Sequence, residues 1–66
     1  MELKEVMKQR REKLGLTQQD LAEIAQVGVA TVKDIERGKG NPSLGTVHKI
    51  LDVLGLEIGY HVRKTV

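Results

Sequence analysis

The sequence holds no cysteine, tryptophan or phenylalanine, a single tyrosine (Tyr60) and a single proline (Pro42). Without cysteine, neither a disulfide nor a thiolate–zinc site can staple the chain. The same absence fits a reducing compartment, and a cytoplasmic protein is expected. With one aromatic ring, base stacking, the usual grip on single-stranded RNA or DNA, has almost nothing to work with. No apolar run approaches the roughly 18–20 residues of a membrane-spanning helix, and the polar start MELKEVMKQRREK lacks the apolar centre of a signal peptide. It also lacks the Trp and Phe of a membrane-surface helix. His48 and His61, the two histidines, have no recognised metal-ligand spacing. Ser43, His48 and Asp52 fall within one short helical stretch, at the wrong angles for a hydrolase triad and without a nucleophile elbow. The chain is therefore not read as an enzyme, and no metal or cofactor is expected.

What is present is short and charged. Its 66 residues suffice for one small domain. A chain of this size buries a limited core and often needs a disulfide, a metal or a partner. With the first two excluded, oligomerisation is the remaining route. Charged residues make up 30% of the chain and leave a net charge of +2. That mild basic surplus suits an anionic partner, although many proteins carry as much.

Apolar spacing predicts a first helix over residues 2–14, with Leu3, Val6, Met7, Arg10 and Leu14 near helical register and Gly15 ending it. TQQD then places Thr17 as the N-cap of a second helix, with Asp20 completing a capping box. Leu21, Ala22, Ile24 and Ala25 are its expected buried stripe. Gln26-Val27-Gly28 breaks the chain, and a third helix follows over residues 29–37, stopped by Gly38. GKGNP is a loop. Ser43 caps a fourth helix over residues 44–54, with Leu44, Val47, Ile50, Leu51 and Leu54 inward and Gly55 as its stop. In the tail, Leu56, Ile58, Tyr60 and Val62 alternate with polar or small residues, which reads as a strand. A lone strand leaves its backbone groups unpaired, so these four residues are expected to pair with their copies across a homodimer. The division is then a domain at residues 1–55 and a dimerisation strand and tail at 56–66.

Two short helices separated by a three-residue break form a helix-turn-helix candidate. In such a unit the first helix crosses the DNA backbone and the second enters the major groove, whose width admits one α-helix. The run LGLTQQDLAEIAQVGVATVKDIERGKGNPSLGTVHKILDVLGL resembles the XRE/Cro-type repressor family, in which GLTQ, LA, GVS, an IS-x-x-E-x-G segment and a following proline recur; here GLTQ, LA, V, IERGK and NPSL stand in that order and at that spacing. The likeness covers about residues 3–56. It implies an all-α, four-helix, lambda-repressor-like domain.

The resemblance also implies roles, residue by residue. Gln18 matches a glutamine that binds a backbone phosphate. Glu36 and Arg11 match an acidic and a basic position that pair, tying the first helix to the third. Lys39 and Asn41 lie in the loop that approaches phosphates. The base-reading positions fall on Gly28, Val29, Ala30, Lys33 and Asp34, with Arg37 at the rim and Thr31 near enough to touch phosphate or base. Val29 and Ala30 can meet thymine methyl groups, Lys33 can donate to guanine, and Asp34 can accept from cytosine N4 or repel phosphate. The blander readings are that Val29 and Ala30 pack within the domain and that the charged residues are merely solvated. Two positions depart from the family pattern: Gln26 stands where a turn glycine is usual, and Gly28 where a serine caps the third helix.

A strand in place of a fifth helix is similar to HipB-like antitoxins, in which C-terminal strands pair across the dimer. That likeness implies a dimeric repressor of its own operon, bound to a palindromic operator and to a HipA-like kinase toxin. A stand-alone repressor of the phage or restriction-control kind is the alternative. A protein-bridging coactivator module is the alternative from another class.

Overall fold

The structure, a computed structural model, describes residues 2–59. Four helices follow in order: α1 (Leu3–Lys13), α2 (Gln18–Ala25), α3 (Val29–Glu36) and α4 (Leu44–Leu54). Their starts follow the local chemistry of the caps. The Thr17 hydroxyl accepts from the Asp20 amide at 2.9 Å, and the Thr17 amide donates to the Asp20 carboxylate at 2.9 Å. Both orphan donors at the start of α2 are thereby satisfied. The hydrogen bond from the Thr17 backbone, and then that from its side chain, hold the Asp20 carboxyl below its ordinary value. At the start of α4, the Ser43 hydroxyl accepts from the Thr46 amide at 3.1 Å.

The helix ends share one device. An amide one or two residues past each C-cap reaches back to a carbonyl five residues earlier: Leu16 to Arg11 at 3.1 Å, Val27 to Ala22 at 3.0 Å, Lys39 to Asp34 at 2.8 Å and Leu56 to Leu51 at 2.9 Å. The residue before each of those amides (Gly15, Gln26, Gly38 and Gly55) has positive φ. These are Schellman-type closures, and they turn the chain sharply enough for four short helices to pack on one another.

The helices pack α2 on α3 and α4, and α1 on α3 and α4. Each contributes to one core: Met7 from α1; Leu21, Ala22 and Ala25 from α2; Val32 and Ile35 from α3; and Val47, Ile50, Leu51 and Leu54 from α4. Leu16, Val27 and Val29 pack against its edge. Arg10 adds a tie between the first and fourth helices, donating from Nε to the Leu54 carbonyl at 2.8 Å, so that α1 holds the last turn of α4.

The one buried charged residue of the core region is Arg11. Its Nε and Nη2 donate to Glu36 at 2.7 and 2.9 Å, and Nη1 donates to the Leu16 carbonyl at 2.8 Å. Side-chain exposures of 11% and 4% make this an interior pair, not the solvated one the sequence also allowed. The hydrogen bonds to Glu36 push the Arg11 guanidinium still further toward its charged form.

Three expectations are corrected. Ile24 is 56% exposed, not part of the buried stripe. At about 100° per residue it lies roughly 107° from the centre of the Leu21, Ala22 and Ala25 face. Leu44 is 58% exposed instead of inward. It occupies the first position of α4, and its Cα–Cβ bond tilts past the helix end, off the core. Lastly, no strand occurs among the described residues. Residues 56–59 are irregular; Leu56 and Ile58 are half-buried against the domain's own core, and the Leu56 amide is committed to closing α4. The period-two pattern that suggested a strand places these two side chains on one side, which here faces the same domain. Tyr60 and Val62 lie outside the described residues, and with them most of the expected dimerisation strand.

Breaking the interior pair strands a buried charge. Glu36→Ala is expected to destabilise the domain by about 3 kcal/mol, the low end for buried pairs, because the Arg11 side chain keeps some contact with solvent. Replacing both partners, Arg11→Met with Glu36→Leu, should recover most of that loss in urea denaturation. A loss below about 1 kcal/mol for Glu36→Ala would show the pair to be effectively solvated.

Candidate nucleic-acid interface

The geometry of the site is set by how α3 leaves the turn. Gln26 sits at φ 59°, ψ 45°, in the left-handed region. Val27 then drops onto the core edge, and Gly28 begins α3 in extended conformation, with no side chain to cap it. The first turn of α3 is therefore closed by backbone bonds alone, from the Thr31 and Val32 amides to the Gly28 carbonyl at 3.0 and 3.3 Å. A side chain at Gly28 would meet only Thr31 Oγ1, at 3.8 Å, so a serine would fit there.

Val32 and Ile35 anchor α3 on its inner face, and Glu36 locks its last turn to α1. The helical period then fixes what faces outward. Ala30, Lys33, Asp34 and Arg37, at i, i+3, i+4 and i+7, share one face. With Gln18 of α2 they line a shallow cleft of about 310 Å³. A second hollow of about 170 Å³ adjoins it, lined in part by Thr31, Asp34, Lys39 and Asn41, so the loop after α3 continues the surface. Ala30, Lys33, Arg37, Lys39 and Asn41 are exposed, while Gln18, Thr31 and Asp34 are half-buried. The face thus carries three cations, Lys33, Arg37 and Lys39, and one carboxylate, Asp34, with Ala30, Ile35 and Pro42 as its apolar lining.

A convex, mildly basic helix beside a second helix and a polar loop is the arrangement of a helix-turn-helix unit. The profile of the helix-turn-helix family matches residues 7–61. The chain belongs to the XRE-type helix-turn-helix family. It is 36% identical over 58 residues to the HTH-type transcriptional regulator DdrOP3 of Deinococcus deserti, a stretch covering 88% of this chain and 45% of that protein. It is 38% identical over 55 residues to an uncharacterised HTH-type transcriptional regulator of Methanothermobacter thermautotrophicus, covering 83% of this chain and 80% of that one. The chain thus spans less than half of the first relative and most of the second.

Within this helix-turn-helix unit, the structure brings together most residues singled out from sequence. Gln18, Ala30, Lys33, Asp34 and Arg37 share one cleft; Thr31, Lys39 and Asn41 share the next. Gly28 is exposed at the start of α3. Val29 differs: it is half-buried and packs against the core edge, so only part of its side chain faces out. Two contacts were missed. The Gln18 amide donates from Nε2 to Glu36 Oε1 at 3.2 Å, joining the start of α2 to the Arg11–Glu36 pair. Arg37 is ion-paired with Asp34 through Nη2 and Oδ1. The i,i+3 spacing of Asp34 and Arg37 was a legible signal for the second contact; nothing local signals the first.

The turn itself is testable. A non-glycine residue in the left-handed region carries a strain of about 1–2 kcal/mol. Glycine relieves it but adds unfolded-state entropy worth roughly 0.5–1 kcal/mol. Gln26→Gly is therefore expected to stabilise the domain by up to about 1 kcal/mol in denaturant titrations. Destabilisation would mean that the Gln26 side chain contributes contacts of its own.

Proposed function

We propose that this chain is a sequence-specific, double-stranded-DNA-binding transcriptional regulator, acting as a repressor, that reads its site with the outer face of α3. The observation that carries this reading is the division of α3 in a chain of this family. Val32, Ile35 and Glu36 are spent on anchoring, and Ala30, Lys33, Asp34 and Arg37 project together beside Gln18. A regular helix held from one side, with its other side free, fits a major groove.

In this reading the contacts divide by chemistry. Gln18, Lys39 and Asn41 meet backbone phosphates and set the register. Gly28, Val29, Ala30, Lys33 and Asp34 meet base edges, with Thr31 and Arg37 alongside. Glu36 positions Gln18, since it accepts one hydrogen from that amide and leaves the other free to point at DNA. Few of these side chains are polar base readers. Discrimination then leans on thymine methyl groups, on Lys33 and on the shape of the duplex. A single unit of this size covers one half-site. Two copies related by a two-fold axis would place their α3 helices in successive major grooves about 34 Å apart on a palindromic operator. The alternating tail continues with Tyr60 and Val62; these two, and not Leu56 and Ile58, which pack on their own domain, are the proposed contact between copies. The narrower role, antitoxin to a HipA-like kinase, is supported by that alternating tail alone.

Binding to duplexes selected from a random pool, measured across 50–200 mM salt, tests this function. Affinity should fall steeply as salt rises, because phosphate contacts release counterions. Gln18→Ala should weaken every duplex about equally, by roughly 3–10-fold, as expected for one hydrogen bond, whereas Lys33→Ala should change which sequence is preferred. Salt-independent behaviour, or no duplex binding, would favour a protein-bridging module. Copurification with a HipA-like kinase would establish the antitoxin role.

A further inference from the structure

We propose that Asp34 is a specificity-determining residue that works by holding Arg37 away from phosphate on non-cognate DNA. The inference rests on the DNA-reading function of α3 and adds a mechanism to it. Asp34 is the one carboxylate on a face that also carries Lys33, Arg37 and Lys39, and it lines both hollows of that face. Its partner is Arg37, one turn further along the same helix.

Asp34 is held in place by the chain around it. Its carbonyl accepts from the Lys39 amide at 2.8 Å. The loop lies close over its stem, since a Cβ at Gly40 would sit 3.4 Å from the Asp34 Cβ. These contacts fix the backbone and Cβ of Asp34 beside the loop and leave the carboxylate to turn about its own side-chain bonds. The anchoring of α3 does not need it, for Val32, Ile35 and Glu36 do that work on the other side. The pair is also open to water, with side-chain exposures of 61% for Arg37 and 42% for Asp34, so it separates once Asp34 has a base amino group to accept from.

A carboxylate facing DNA is unfavourable beside any phosphate. It is compensated where a base offers an amino hydrogen in the major groove, as cytosine N4 does. On most sequences Asp34 keeps Arg37 paired, and neither contributes to binding. On a sequence that presents the amino group at the right position, Asp34 turns to the base and Arg37 is released to the neighbouring phosphate. Two contacts are then gained together, and only at the matching site.

The experiment compares the wild type, Asp34→Asn, Arg37→Ala and the double variant on a random-sequence duplex and on a selected one. Asp34→Asn keeps the shape but cannot hold Arg37 as an ion pair. It should steepen the salt dependence on random DNA by about 0.9 in log–log slope, one added phosphate contact. Over the decade of salt below 1 M, that slope corresponds to binding about eight-fold tighter at 0.1 M. Preference for the selected duplex should fall accordingly. In the Arg37→Ala background the same substitution should leave the slope unchanged. An equal steepening with Arg37 absent would overturn the proposal, since Asp34 would then act by direct repulsion. So would an Asp34→Asn variant whose slope matches the wild type. A wild-type chain that binds duplex DNA while either of those results holds loses this inference alone. A wild-type chain that binds no duplex loses the DNA-reading function, and this inference with it.

Discussion

Glu36 accepts hydrogen bonds from Arg11 and from Gln18, and through them it joins three of the four helices. The rest of the unit depends on this junction. α3 spans eight residues and buries only two apolar side chains fully on the core, Val32 and Ile35. Two contacts on one stripe leave a short helix free to roll about its axis, and a roll of a few tens of degrees would move Lys33 and Arg37 off the outward face. A bidentate guanidinium–carboxylate contact has a fixed planar geometry, and it fixes the roll at the last turn. Because the Arg11 guanidinium also donates to the Leu16 carbonyl, the same group fixes the end of α1 and the entry to α2. Buried ion pairs add little net stability over apolar residues of the same shape. Here the gain is orientation.

The core is small, and irregular backbone would be costly beside it. Each helix ends in a closure that satisfies its last carbonyls within a few residues, and α2 and α4 begin with side-chain caps. Arg10 covers the end of α4 from across the fold. Among the described residues no buried side-chain nitrogen or oxygen lacks a partner. Four short helices can therefore hold together in a chain without cysteine. The exposed Ile24 and Leu44 show that apolar residues are not all recruited to this core. Its boundary is set by the faces that α2 and α4 can reach.

Much of this was legible in residue order because it is local. The capping box needs only Thr17 and Asp20, and the stops need only Gly15, Gly38 and Gly55 next to the last apolar residue of each helix. The left-handed Gln26 could be anticipated because the turn demanded that conformation whatever residue stood there. The outward face of α3 also follows from period alone, once Val32 and Ile35 are assigned inward. The error in the tail fell where a local pattern had two solutions. Leu56 and Ile58 fit a paired strand or a segment packed on its own domain, and period two does not distinguish them.

The sequence by itself determined the four helices and their caps and turns, since each rests on hydrogen bonds or spacings within about six residues, and the family, whose motifs follow in order along most of the chain. Tertiary structure decided which partners distant side chains take. Glu36 meets Gln18 across 18 residues, and Arg10 reaches Leu54 across 44; the pair of Glu36 with Arg11 across 25 was implied by the family likeness, and the packing decided that it is interior. Those contacts exist only once the helices have packed, because packing fixes which polar groups lose water and must find one another. Periodicity carries no record of that outcome.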